Sequence, residues 1–331
     1  GRNALYGMNA QKAFALALED IKKEMPNRKI EILYEDSKFD AKEGVSAYRK
    51  LRDFDNVPIV ITQGSGISLA ISPLANQDRV FQIAVTASTP KYTSKGDFTF
   101  RTTPRAEVEG RELAKAIARL GYKKVALLYN NDERGIGHRD GIKPEIERLG
   151  GEIVAEEAIA PEGTDFRTQL IKIKNQKPEA IYLLTEYKNA GLILKQAKEM
   201  EIEAQWFATR SIEKKEVLEI AGDAAEGVIY TYAFDPESND PIVKNFVERY
   251  RNKYGETPDY IAAEAYDALK LIAKALRNCG KLDTECMKND LLATRNYQGV
   301  CGTLTFDENG DVYYPYTFKT IKNGQFVLYT E

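Results

Sequence analysis

The chain has 331 residues, room for two domains of ordinary size, with 43% hydrophobic and 29% charged residues. A formal net charge of −3 carries no nucleic-acid footprint, and no apolar run approaches the roughly 20 residues that span a bilayer. With one histidine and no Cys-x-x-Cys pair, a zinc site has no obvious ligands.

From Asn9 to Lys23, Phe14, Ala17, Leu18 and Ile21 fall at i, i+3, i+4 and i+7, which predicts a helix with one buried face. Tyr6-Gly7 stands just before it, and Lys12, Lys22, Lys23, Arg28 and Lys29 form its polar face and exit. Ile30–Tyr34 reads as a strand and Ala41–Phe54 as a helix. Val57 to Thr62 is a β-branched run suited to a buried strand; it ends at Gly64-Ser65-Gly66, followed by an amphipathic segment with Leu69, Ile71 and Leu74. Val80–Val85 ends in Thr86-Ala87-Ser88-Thr89-Pro90. Each run is read as a strand delivering a hydroxyl-rich turn to a helix start, where free N–H groups favour an anion. On adjacent parallel strands the two turns would lie side by side at the carboxyl edge, where open α/β sheets bind ligands. The plainer alternative is that Ser65 and Ser88 only cap helices.

A short strand at Phe98–Arg101 and a helix at Glu107–Leu120 follow, and Gly121 marks a change. Strands at Lys124–Tyr129, Glu152–Ala158, Ala180–Leu184, Gln205–Ala208 and Gly227–Tyr232 then alternate with helices ending at Leu149, Asn175 and Met200. The loop Asn130–Gly137 precedes the first of these helices, and His138 is read as a solvated loop residue. After Phe234 come two consecutive helices, Pro241–Tyr254 and Asp259–Leu276, and a hairpin-like tail from Tyr316 to Tyr329. The doubled alternation predicts an α/β chain with two doubly wound parallel sheets. Two helices without a strand between them cannot extend the second sheet, so they are assigned to the first lobe. The expected lobes are 1–120 with 240–313, and 121–239 with 314–331. The first lobe opens without a strand before its first helix, so a central strand is expected to precede Gly1.

Cys279 and Cys286 flank a short polar loop, compatible with a disulfide and an oxidising compartment; the alternative is three free thiols in a cytosolic protein. Closing so small a loop contributes about 2–3 kcal/mol. No Gly-x-Ser-x-Gly elbow, phosphate-binding Walker loop or His-Glu-x-x-His motif is present, so no catalytic residue, metal site or cofactor is assigned, and the chain is not read as an enzyme.

Several stretches in this order resemble one family: Tyr6-Gly7; Gly64-Ser65-Gly66; Thr86 to Pro90 with Phe100-Arg101-Thr102; Leu149-Gly150-Gly151 with Thr164-Asp165-Phe166; Ala224 to Gly227; Ala265 to Ala268; and Gly302 to Asp307. Over essentially its whole length the chain is similar to the type I periplasmic solute-binding proteins of branched-chain amino-acid ABC importers. The resemblance implies two lobes joined by three crossings, closing on a solute between them. It implies that Ser65, the Thr86 carbonyl and Ser88 hold an α-amino carboxylate, with Tyr6 covering it and Tyr187 reaching it from the second lobe. It further implies a monomer in the periplasm or at the cell surface, partnered by ABC permease subunits, with no nucleic-acid partner. A ligand-sensing ectodomain of the same fold is the alternative, marked by a downstream membrane span. A sugar-responsive repressor would need a helix-turn-helix arm.

One position departs from the family. Where its amino-acid binders carry an acid for the ligand's ammonium, this chain has Arg210. A guanidinium facing an ammonium in a desolvated site costs several kcal/mol, whereas an arginine–carboxylate pair is strong. The expected ligand is therefore a small organic acid, with dicarboxylates and aromatic acids in view, over an aliphatic amino acid. The alternative is that Arg210 points to solvent or pairs with Glu186 or Glu213.

Overall fold

The computed structural model describes residues 4–314 and 316–330. In chain order the elements are α1 (Ala4–Glu24), α2 (Ala41–Asp53), β1 (Ile59–Gln63), α3 (Ser65–Asp78), β2 (Phe81–Val85), β3 (Thr99–Arg101), α4 (Ala106–Arg119), β4 (Lys124–Asn130) and α5 (Glu133–Arg148). There follow β5 (Glu152–Ile159), α6 (Arg167–Asn175), β6 (Ala180–Leu184), α7 (Tyr187–Glu199), β7 (Gln205–Ala208), α8 (Lys215–Ala221) and β8 (Ile229–Tyr232). The last are α9 (Pro241–Tyr254), α10 (Tyr260–Cys279), α11 (Thr284–Leu292), β9 (Tyr297–Gly299), β10 (Gly302–Leu304), β11 (Thr317–Lys322) and β12 (Gln325–Leu328). Short 3-10 turns occupy Arg210–Ile212 and Gly222–Ala225. Two compact units result: Gly1–Arg105 with Phe234–Tyr314, and Ala106–Ala233 with Pro315–Glu331.

In the first unit β1, β2 and β3 form a parallel sheet. β2 is buried along its whole length, as a strand covered on both faces must be. Tyr48, Ile67, Ile71 and Ala75 from α2 and α3 pack on Val60 and Val80. α10 is buried at most of its positions, many of them alanine, and packs against α1 and β2. Ile30–Tyr34 is not a strand: it has no ladder among the described residues, and an extended segment becomes one only by pairing its backbone groups. That stretch and β1 both line a cavity of about 1440 Å³, together with α1, α2 and α10 side chains such as Phe14, Tyr48 and Ile272.

In the second unit the strand order is β12-β11-β8-β7-β6-β4-β5. The five strands from β5 to β8 are parallel, and the β11–β12 hairpin adds to β8 antiparallel, so this sheet is mixed. The chain leaves β4 first to one side, to β5, and then to the other, to β6, which makes the β4/β6 junction the topological switch point.

The division falls at Arg105/Ala106 and Ala233/Phe234, not at 120/121 and 239/240. The apolar stripe of α4 decides the first boundary, because Leu113, Ala114 and Ile117 sit in one cluster with Val125, Leu127, Ile142 and Phe207. α4 and α5 approach so closely that a Cβ on Gly141 would come 2.3 Å from the Glu107 Cα. Periodicity shows that α4 has an apolar stripe, but not which sheet the stripe covers. Phe234 packs edge-on to Phe246 of α9, in the first unit.

The solvated-loop reading of His138 is overturned. Asp132 caps α5 through the Gly135 N–H at 2.8 Å, so the helix begins at Glu133 and places His138 on its buried face. Its Nδ1 lies 2.9 Å from the Tyr182 hydroxyl and its Nε2 lies 3.6 Å from Glu109 Oε2. Glycines at 135, 137 and 141 disguised this stretch as loop, although Gly135 and Gly141 serve close packing against Asn130 and Glu107.

Candidate ligand-binding site

In the first unit the two hydroxyl turns meet at the carboxyl edge. Gln63 pairs with Val85 in the β1–β2 register, and the Gly64 N–H donates to the Val85 carbonyl at 3.0 Å. Gly64 takes φ +87°, open to glycine without strain, and a Cβ there would also strike the Phe39 ring at 3.0 Å. Ser65 then opens α3. Its Oγ is no helix cap: it accepts the Ser88 N–H at 3.1 Å and the Thr89 N–H at 3.2 Å, joining the two turns. Beneath them a buried polar cluster locks the strands to α3. Thr62 Oγ1 and Ser68 Oγ are 2.8 Å apart, and Gln82 Nε2 donates to Thr62 Oγ1 and the Ser68 carbonyl.

The second turn does not start a helix; the chain runs from Thr86 through an irregular stretch to β3. Buried side chains fix it instead. Arg101, fully buried, donates to the Ala87 carbonyl at 3.0 Å and the Thr89 carbonyl at 2.9 Å, and pairs with Asp311 at 2.7 Å. From α10, Glu264 Oε2 accepts the Thr86 N–H at 2.9 Å. The helix-dipole argument for an anion therefore applies to the first turn only. Tyr6 lies inside α1, not before it; its buried ring meets Phe39 edge-on at 5.9 Å, and its carbonyl accepts from Gln63 Nε2.

In the second unit the residues of interest stand at the carboxyl ends of β4, β6 and β7, around the switch point. Tyr187 is the buried first residue of α7. Arg210 is 5% exposed in its 3-10 turn, so its guanidinium does not face solvent. Glu213 is engaged by Lys319 at 2.8 Å and by the Tyr230 hydroxyl at 2.5 Å. Glu186 pairs with Arg134 at 3.1 Å, and Arg134 also donates to Thr209 Oγ1 at 3.0 Å and to Ser211 Oγ at 3.4 Å. One arginine thus ties together the turns after β4, β6 and β7. Thr185 Oγ1 donates to Asn130 Oδ1 at 2.7 Å across the switch point. Burial, followed by the charges of Arg134 and Arg210, holds the His138 ring well below its usual pKa. Burial raises the Asp132 carboxyl, and the Gly135 N–H partly offsets the rise.

A family model described as periplasmic binding protein matches residues 1–325. The chain belongs to the periplasmic binding protein family. It is 28% identical over 316 residues to the Leu/Ile/Val-binding protein homolog 1 of Brucella suis, covering 94% of this chain and 84% of that relative. Among solved structures of this family, the leucine binding protein LivK of Thermotoga maritima matches with a TM-score of 0.91 at 26% identity, covering 98% of this chain and 93% of that one. The branched-chain amino-acid transporter substrate binding protein LivJ of Streptococcus pneumoniae, solved with isoleucine, matches with a TM-score of 0.88 at 27% identity, over 97% and 93% of the two chains. This chain's relatives are solute-binding proteins, not enzymes.

Among the described residues no group of His, Cys, Asp or Glu is arranged to hold a metal, and no helix is long and apolar enough to cross a membrane. Cys279 and Cys286 are joined in a disulfide, and Cys301 is buried and not disulfide-bonded.

Ser65, Thr86 and Ser88 are brought together in the first unit with Tyr6 nearby, while Tyr187 and Arg210 stand at one sheet edge of the second. Sequence reasoning missed Arg134 and Glu264. Arg134 carried a faint signal, as a base two residues after a capping aspartate. Glu264 carried a clearer one, as the lone acid in Ala262-Ala263-Glu264-Ala265 on an apolar helix.

Proposed function

We propose that this protein captures a small carboxylate-bearing solute and delivers it, as a monomer, to the permease of an ABC importer. The observation that carries the carboxylate is the state of Ser65. Its oxygen already accepts two N–H groups, which occupy both lone pairs, so what it has left to offer is its own hydrogen, which suits a carboxylate oxygen. Cooperative polarisation by those two bonds makes it a better donor. The α3 N-terminus beside it favours a negative group. In this reading Tyr6, the Thr86 carbonyl and Ser88 are the other solute-binding groups of the first unit, and Tyr187 and Arg210 are those of the second.

Arg210 supports the organic-acid reading, since a buried guanidinium attracts a carboxylate and repels an ammonium. A second reading, an amino acid, is supported by Glu186, a mostly buried carboxylate beside Tyr187 that Arg134 holds in place. The isoleucine in the LivJ structure supports the same reading. Titration calorimetry with leucine, valine and their deaminated acids separates the two. The organic-acid reading expects the deaminated acids to bind and Arg210→Ala to weaken them by about 2–5 kcal/mol. Tight binding of leucine or valine that is lost on deamination and unchanged by Arg210→Ala refutes it.

The disulfide and the family both support export to the periplasm or cell surface. A sensor ectodomain is the competing role, and permease and ATPase genes beside this one would decide for the carrier.

A further inference from the structure

Thr86 stands in the left-handed region at φ +55°, and among the described residues it is the only β-branched one with a positive φ. The Cβ substituents of such a residue crowd the backbone there, so the conformation persists only where its surroundings impose it. Three buried groups do so. Glu264 Oε2, on a side chain 1% exposed, accepts the Thr86 N–H at 2.9 Å and also accepts from the Thr103 hydroxyl. Its other oxygen lies 3.3 Å from the Tyr314 hydroxyl, which also donates to the Thr102 carbonyl. Arg101 takes the Ala87 and Thr89 carbonyls, and Ser65 Oγ takes the next two N–H groups. These bonds use the Thr86 N–H and the backbone of the three residues after it, and they involve neither the Thr86 carbonyl nor the Ser88 hydroxyl.

We propose that Glu264 is a positioning residue for solute binding: it holds Thr86 in the left-handed conformation and so presents the Thr86 carbonyl and the Ser88 hydroxyl to the solute. The proposal rests on the solute-binding reading above and assigns Glu264 no contact with the solute. Its logic is pre-organisation, in which a strained turn ordered in advance need not be ordered by the ligand. Without Glu264 the turn relaxes, and binding must restore a conformation disfavoured by on the order of 10-fold.

The test uses the full chain with Glu264→Ala, Glu264→Gln and each combined with Thr86→Gly. Two readouts are taken: hydrogen exchange of the Ser88 and Thr89 amides without ligand, and calorimetric affinity for leucine and for its deaminated acid. Glu264→Ala should speed exchange at these amides and weaken whichever compound the parent binds by on the order of 10-fold. Glu264→Gln keeps one acceptor but sets an amide N–H against the Tyr314 hydroxyl or the Thr86 N–H, so it should fall between parent and alanine. Thr86→Gly should restore most of the loss in either background, because glycine adopts φ +55° without crowding. Should Glu264→Ala fail to fold, the glutamine pair carries the same comparison. Unchanged exchange, or a loss that Thr86→Gly does not repair, overturns the proposal by reducing Glu264 to a packing role. Local exchange that rises and is rescued, in a protein that binds neither compound, supports Glu264's hold on the turn and sinks both branched-chain compounds as the solute.

Discussion

Acidification from pH 6.5 to 5.5 should loosen the second unit through His138. The ring is fully buried, and its surroundings are Tyr182, Glu109, Arg134 and Arg210. Glu109 lies close enough to favour an imidazolium, but burial outweighs it and the two arginines oppose one, so the folded pKa lies well below 6.5. A depressed folded pKa means that the unfolded chain binds the proton more readily. The ring's contribution is therefore complete above the unfolded value and is lost as pH falls through the folded one. While the folded ring stays neutral, the first pH unit below 6.5 removes about 1 kcal/mol and each further unit about 1.4 kcal/mol. That is a sizeable part of a domain stability of roughly 5–15 kcal/mol. Trp206, the single tryptophan, sits on β7 of this unit, so its fluorescence in urea follows this unit's unfolding. His138→Gln removes the titration and keeps a polar side chain facing Tyr182. Between pH 6.5 and 5.5 the parent should lose about 1 kcal/mol more than the variant. Equal pH slopes would mean that the folded ring protonates normally, and would refute the reasoning.

Two further outcomes follow from the packing. Leu113→Ala on α4 should lower the Trp206-reported stability by about 2–5 kcal/mol, the cost of a cavity in a closed core, and leave exchange at the β1 and β2 amides unchanged. An effect confined to the first unit would return α4 to that lobe. Under denaturing, non-reducing conditions one thiol, that of Cys301, should react, and serine at both Cys279 and Cys286 should cost the first unit about 2–3 kcal/mol; three reactive thiols would contradict the pairing.

The sequence by itself determined the alternation of β and α, because period-2 and period-3.6 patterns are local and need no partner to be read. The juxtaposition of Ser65 and Ser88 was also legible, because consecutive parallel strands bring their terminal turns together. Tertiary structure decided what those patterns leave open. Ile30–Tyr34 has strand chemistry and no ladder, since pairing belongs to two segments and not to one. The apolar stripe of α4 could have covered either sheet, and the close approach of α5 settled which. His138 looked solvated because glycines around it read as loop, when one of them, Gly141, is what lets α5 lie against α4. Glu264 reaches the Thr86 N–H from 178 residues further along the chain, and Arg134 reaches Thr209 from 75 residues before it. Contacts of that range exist only once both sheets have formed, so no local pattern could announce them.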